Sequence, residues 1–231
     1  MAPSKRNVGV VVPAGGLGVR AGTVGPKQFR EVGGVPMLKR ALLPFLESDQ
    51  VLEIVVPLPD EFIGAPPDWL QEMTNERVKL VAGGSTRGSS VAKGVKALTE
   101  ACVTVLIHDA ARPFVSKETI EAVIEKARSG RVAIAAVPVR DTLKRLDANN
   151  ELILETVNRE NLWQAQTPQG FPRNILSEMY HLEIDPEFAL TDEAALAEAA
   201  GHAVHIVPDS TTNFKVTLPE DFVLAEALCR T

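Results

Sequence analysis

The stretch Val10-Val11-Val12-Pro13-Ala14-Gly15-Gly16-Leu17-Gly18-Val19-Arg20, followed by Pro26-Lys27-Gln28-Phe29, decides the reading of this chain. A short apolar run, Val8–Val12, predicts a buried strand, and the glycines after it form a loop where backbone N–H groups can approach phosphate oxygens closely. Arg20 and Lys27 add cations able to meet that charge. A tight strand-to-helix turn with two solvated cations is the alternative. A P-loop is excluded, because Lys27 follows Pro26 and precedes Gln28 where Gly-Lys-Ser/Thr is required. Gly16-x-Gly18-x-x-Ala21 fits a dinucleotide fingerprint in part, yet no acidic residue closes a second strand at the distance needed to hold a ribose.

Outward from this loop, valine- and isoleucine-rich runs alternate with amphipathic stretches, the pattern of parallel strands covered on both faces by helices. The strands are expected at Val8–Val12, Leu52–Val56, Val78–Val81, Val103–Ile107 and Val132–Val137. Met37, Leu38, Ala41, Leu42, Phe45 and Leu46 share one helical face, with Pro44 expected to bend or shorten that helix. Val91, Val95 and Leu98 mark a second helix. Between Leu143 and Val157, apolar and polar residues flank Asp147-Ala148-Asn149-Asn150, as in a hairpin with a polar turn. Residues 139–159 are therefore expected to form an arm inserted into one domain spanning 1–231. Such an arm cannot bury Leu146, Leu152, Ile153 and Leu154 by itself, so it should lie on the body or on a second subunit, most simply in a homodimer. A helix after Thr191-Asp192-Glu193, a strand at Val204–Val207 and a helix after Pro219 follow.

With 231 residues, 45% of them hydrophobic, the chain can bury a sizeable core without disulfides. Its formal charge of −6 gives no general attraction for nucleic acid or an anionic membrane, so a bound phosphate must meet a local cluster of cations. Cys102 and Cys229 match neither a zinc spacing nor a disulfide framework, and no apolar stretch approaches a membrane span. The chain reads as soluble and cytoplasmic.

Three further segments carry chemistry. Val105-Leu106-Ile107-His108-Asp109-Ala110-Ala111-Arg112 places an acid at the carboxyl end of a buried strand, where open α/β sheets bind ligands. Asp109 there can hold Mg²⁺ against triphosphate oxygens; a helix cap or a structural pair with Arg112 is the alternative, and His108 reads as packing. Gly83-Gly84-Ser85-Thr86-Arg87-Gly88-Ser89-Ser90 offers backbone donors and hydroxyls to a base or ribose. Lys215 is an isolated cation in the strand-like run Phe214-Lys215-Val216.

Taken together, the glycine loop with Pro-Lys-Gln-Phe, His-Asp-Ala-Ala-Arg-Pro, Asp141-Thr142-Leu143-Lys144, Leu162-Trp163-Gln164-Ala165-Gln166-Thr167-Pro168-Gln169 and Leu190-Thr191-Asp192-Glu193 resemble the 2-C-methyl-D-erythritol 4-phosphate cytidylyltransferase family over essentially the whole chain. The resemblance implies a Rossmann-like α/β fold with a protruding β-hairpin arm. It also implies formation of CDP-methylerythritol from CTP with Mg²⁺ or another divalent cation. Carried onto matched positions, Arg20, Lys27 and Lys215 are the catalytic cations and Asp109 the residue near the metal. Pro13, Ala14, Gly15, Gly16, Gly18, Gly84, Ser85 and Ser90 would contact CTP. Arg112, Thr167 and Thr191 would line the methylerythritol phosphate pocket with Asp109, while Thr142 and Arg159 would reach it from a partner subunit. Gly15 stands where alanine is common in that family, and Ser85 where an acidic residue can contact the cytosine. A ribitol-5-phosphate cytidylyltransferase and a non-catalytic nucleotide sensor are the alternatives.

Overall fold

The computed structural model describes residues 6–16, 26–181 and 191–230. Strand β1 (Val8–Val11) leads to a two-stranded ribbon, β2 (Glu31–Val32) and β3 (Val35–Pro36), and then to helix α1 (Met37–Glu47). Strand and helix then alternate through β4 (Val51–Leu58), α2 (Asp68–Met73), β5 (Val78–Ala82), α3 (Arg87–Ala97) and β6 (Thr104–Ile107). Next come α4 (Lys117–Arg128), β7 (Val132–Pro138) and a hairpin, β8 (Leu143–Leu146) with β9 (Ile153–Val157). The chain continues through β10 (Trp163–Pro172), α5 (Arg173–Met179), α6 (Glu193–Ala199), β11 (Val204–Pro208) and α7 (Pro219–Leu228).

Seven strands form one sheet in the order β11-β7-β10-β6-β1-β4-β5. Every neighbouring pair is parallel except the two made by β10, which runs antiparallel to both β6 and β7. The five strands expected from apolar runs are all present, β4 being longer than its run. β10 is the strand that hydrophobicity did not mark. It carries Gln166, Thr167 and Gln169, all buried, and Pro168, which has no N–H to give a ladder. The pairing with β7 shifts register between Ala165 and Gln169, so the proline falls within the irregularity rather than in the ladder. An irregularity of this kind re-aims the side chains it contains.

Alternate side chains of each strand feed opposite layers. Val10, Ile54 and Leu106 pack with Leu38, Leu42, Phe45 and Ile120, while Val11, Val55 and Ile107 pack with Val91, Val95, Phe171 and Leu176. Both faces are thus covered, which leaves the carboxyl edge of the sheet as the place for a ligand. α3 lies so close to the sheet that a Cβ at Gly94 would stand 2.5 Å from Val11 Cγ1. Of the two effects expected at Pro44, a bend or a shortened helix, the second does not occur: α1 continues to Glu47. Pro44 lies in the last turns, where one missing N–H is outweighed by burial of Ala41, Leu42 and Phe45.

The β8–β9 hairpin has the expected polar turn, in which Asp147 Oδ1 accepts from the N–H groups of Glu151 and Leu152 at 2.9 and 3.0 Å. Its apolar side chains do not fold back onto the body: Leu152, Ile153 and Leu154 are 66%, 61% and 64% exposed. The strand expected at Phe214-Lys215-Val216 is instead an irregular segment. Its backbone is committed elsewhere, the Val216 N–H donating to Ala111 O at 2.8 Å and the Val216 carbonyl accepting from Lys27 Nζ at 2.9 Å. No described helix is long and apolar enough to cross a membrane.

Candidate active site

The loop after β1 is held by a side chain from the segment that follows it. Gln28, buried, donates from Nε2 to Ala14 O at 2.6 Å. Opposite, Thr86 caps α3 by accepting from the Ser89 N–H at 3.0 Å, and Ser90 Oγ accepts from the Gly84 N–H at 2.9 Å. A Cβ at Gly84 would collide with Ser89, so this turn requires glycine. Between the two loops lies a cavity of about 530 Å³, walled by Pro13, Ala14, Gly15 and Gly16 on one side and by Gly84, Ser85 and Ser90 on the other. A Cβ at Gly16 would meet nothing within 4 Å, so what the glycine leaves open there is space. Gly18 and Arg20 lie outside the described residues.

Lys27 and Lys215 also line this cavity, and Lys27 is bonded to the carbonyl of the residue after Lys215. Lys215 Nζ donates to Asp109 Oδ2 at 2.7 Å, and Arg87 Nε donates to Asp109 Oδ1 at 3.0 Å. Arg112 Nε stands 3.9 Å from Oδ2, a charge contact rather than a hydrogen bond. Burial alone would raise the Asp109 carboxyl, but Arg87, Lys215 and Arg112 outweigh it and hold it well below the usual carboxylate range. Asp109 is therefore an ionised hub, and Lys215 is paired rather than merely extended to solvent.

A second cavity, about 240 Å³, adjoins the first and shares Arg87, Asp109 and Lys215 with it. Arg112, Thr167 and Thr191 line it. Most of what Arg112 and Thr167 do is internal, however. Arg112 Nη1 donates to Asn213 O at 2.7 Å, fixing the segment that presents Lys215. The Thr167 hydroxyl accepts from the Asp109 N–H at 3.0 Å and is 2.9 Å from His108 Nδ1. His108 Nε2 lies 3.0 Å from the Arg112 carbonyl, which can only accept, so Nε2 carries the proton and Nδ1 accepts from Thr167. Burial pushes the His108 pKa down to about 4, which keeps the ring neutral. His108 is thus a clamp between β6 and the β10 irregularity, beyond the packing role expected of it. Thr142 and Arg159 are exposed and line neither cavity.

Sequence reasoning left out Arg87 and Glu193. Arg87 Nη1 donates to both Glu193 oxygens at 3.0 and 2.8 Å, a pair made between residues 106 positions apart. A cation directly after the capping residue of a helix, where the helix dipole disfavours it, was the available signal.

A glycine-lined cavity at the carboxyl edge of a parallel sheet, joined through a charged hub to a smaller cavity, defines a nucleotidyltransferase. The family model for 2-C-methyl-D-erythritol 4-phosphate cytidylyltransferase (IspD) matches residues 8–231. The chain is 38% identical over 229 residues to the Syntrophus aciditrophicus enzyme of that name, covering 98% of this chain and 97% of the other. It is 42% identical over 220 residues to the Salinibacter ruber one, covering 95% and 91%. The crystal structure of 2-C-methyl-D-erythritol 4-phosphate cytidylyltransferase from Thermus thermophilus superposes with a TM-score of 0.78 at 36% identity, covering 96% of this chain and 98% of that one. The chain belongs to the IspD family of cytidylyltransferases.

Proposed function

We infer that the protein transfers the cytidylyl group of CTP to the phosphate of 2-C-methyl-D-erythritol 4-phosphate, releasing pyrophosphate and forming CDP-methylerythritol for non-mevalonate isoprenoid synthesis. Beyond family membership, the observation that carries this reading is the pair of cavities sharing Arg87, Asp109 and Lys215, which gives a nucleotide and a smaller anion a common charged border. A phosphate oxygen of the acceptor attacks the α-phosphorus in line, and negative charge grows on the α-phosphoryl oxygens and the leaving pyrophosphate. Lys27, whose ammonium is bonded to the Val216 carbonyl, and the neighbouring Lys215 offset that charge, with Arg20 assigned the same role from its place in the glycine loop. Backbone N–H groups of the glycine loop orient the triphosphate.

Among the described residues no group of three metal-binding side chains exists. Among the described residues, Asp109 is the carboxylate that borders both cavities, and each of its oxygens already accepts from a cation. That donor set fits an ion carried in on the triphosphate, with Asp109 as its one protein ligand and phosphates and water as the rest. Bound there, Mg²⁺ would supply Lewis-acid stabilisation of the phosphate charge.

Thr142 and Arg159 act on the acceptor of a partner subunit, in a homodimer built through the arm. The unburied Leu152, Ile153 and Leu154 support this. The enzyme works in the cytoplasm. Pyrophosphate release with CTP and Mg²⁺, with 2-C-methyl-D-erythritol 4-phosphate and ribitol 5-phosphate offered in turn, tests the reading. Release with the first alone is expected; release only with the second, or with neither, overturns it. A monomer by sedimentation, fully active, would remove the partner's residues from the site.

A further inference from the structure

Arg87 opens α3, where a helix end disfavours a cation, and what stabilises it there is a pair of carboxylates from distant parts of the chain. Asp109 follows β6 on the nucleotide side, whereas Glu193 opens α6 directly after Thr191 and Asp192, two residues that wall the smaller cavity. The first turn of α6 is also tied to β10. Gln169 Nε2 donates to Asp192 Oδ2 at 2.7 Å and Gln169 Oε1 accepts from the Ala194 N–H at 3.1 Å. Arg87 completes the frame from the opposite side by binding Asp109 Oδ1 and both Glu193 oxygens at once. A planar guanidinium can serve two carboxylates in this way; a lysine ammonium has no such fork. With Oδ1 occupied, Asp109 presents Oδ2 to Lys215.

We propose that Arg87 is a positioning residue for the acceptor, fixing the Thr191–Asp192 wall against the Asp109–Lys215 pair so that the acceptor phosphate lies in line with the α-phosphorus. The inference rests on the cytidylyltransferase reading and goes beyond it by assigning the alignment of the two cavities to one contact. Burial and charge agree with this. The Glu193 carboxyl is raised by burial, an effect Arg87 only partly offsets, so without Arg87 the buried carboxylate loses its partner.

Initial rates with both substrates varied, together with thermal unfolding, test it. Arg87→Lys and Glu193→Gln each remove one side of the contact while keeping most of the bulk. Each should raise the acceptor KM about tenfold and lower kcat on the order of a hundredfold, because small misplacements are amplified in the rate. For Glu193→Gln, at a residue that lines neither cavity, the CTP KM should stay within about twofold, and the double variant should be no slower than the slower single one, since both lose the same contact. Should Arg87→Lys not fold, Glu193→Gln reads the same contact from the other side. Equal changes in both KM values, multiplying effects in the double variant, or a lower Tm with unchanged kcat overturn the positioning role. Wild-type protein that releases no pyrophosphate with 2-C-methyl-D-erythritol 4-phosphate overturns the functional reading and the positioning role with it, a result separate from active wild type with additive variants.

Discussion

Acidification should loosen the clamp at His108 before it reaches the ionised hub. Burial pushes the His108 pKa down from 6.5 to about 4, so the unfolded chain takes up a proton over a range in which the folded protein does not. Stability from this group is fully present above pH 6.5 and is lost as pH falls towards 4. One pKa unit is worth about 1.4 kcal/mol, so the loss reaches about 2 kcal/mol at pH 5 and about 3 kcal/mol at pH 4. Asp109, whose pKa is lowered, keeps its contribution until the pH falls below the ordinary carboxylate range, and Glu193, whose pKa is raised, acts in the opposite sense. Both are common to wild type and His108→Gln, which lacks the titrating ring, so they cancel in the comparison. Urea unfolding at pH 7 and pH 5 should show wild type losing about 2 kcal/mol more than the variant. Equal losses in the two proteins would refute the assignment of a neutral, doubly bonded ring.

Lys27→Ala should lower kcat on the order of a hundredfold to a thousandfold, with a much smaller change in CTP affinity; unchanged turnover would remove Lys27 from the chemistry. Gly94→Ala should cost about 1–3 kcal/mol in urea unfolding, because the new methyl would press on Val11 and Pro57, and an unaltered midpoint would contradict that packing. Cys102 is fully buried and burial pushes its thiol up to about 12, so a thiol reagent at pH 8 should modify it only in denaturant. Rapid reaction of both cysteines in the native protein would count against this. Asp109→Asn should lower the urea midpoint and weaken binding of metal-free tripolyphosphate, because the cations gathered on the carboxylate disperse; tighter binding or an unchanged midpoint would show that Asp109 does not hold them in place.

What could be read in advance follows from how local each signal is. β1, β4, β5, β6 and β7 were legible because strands covered on both faces become continuous apolar runs. That residues 13–16 leave the sheet at its carboxyl edge was legible because a proline and two glycines end the apolar run of β1. β10 was not, since its buried residues are Gln166, Thr167 and Gln169, and Pro168 argues locally against a central strand. Its place is decided by partners in β6 and β7 and by a register shift that no local pattern announces. The Arg87–Glu193 and His108–Thr167 contacts join residues 106 and 59 positions apart, so they exist only after the sheet has assembled. Pro44 is the reverse case: it did not end the helix, and α1 runs on past it to Glu47 with Ala41, Leu42 and Phe45 buried.

Why a carboxylate should stand at the centre of a site meant for anions follows from the cost of buried charge. Arg87, Arg112 and Lys215 surround Asp109, and Arg87 and Arg112 are largely withdrawn from water. Without a counter-charge, three cations this close would repel one another in a medium that screens poorly, and some would turn outward or lose their protons. Asp109 holds them inward, with Glu193 sharing Arg87. Among the described residues, Lys27, Arg87, Arg112 and Lys215 line the two cavities against Asp109 and Asp192, with Glu193 paired to Arg87 behind them, so positive charge still leads there by one on a chain whose formal charge is −6. Lys215 is the exposed member of the cluster, and it therefore has the freedom to turn from Asp109 towards an arriving phosphate without burying a new charge. Asp109 thus keeps the cations assembled at the end of β6, where a single buried anion serves three of them.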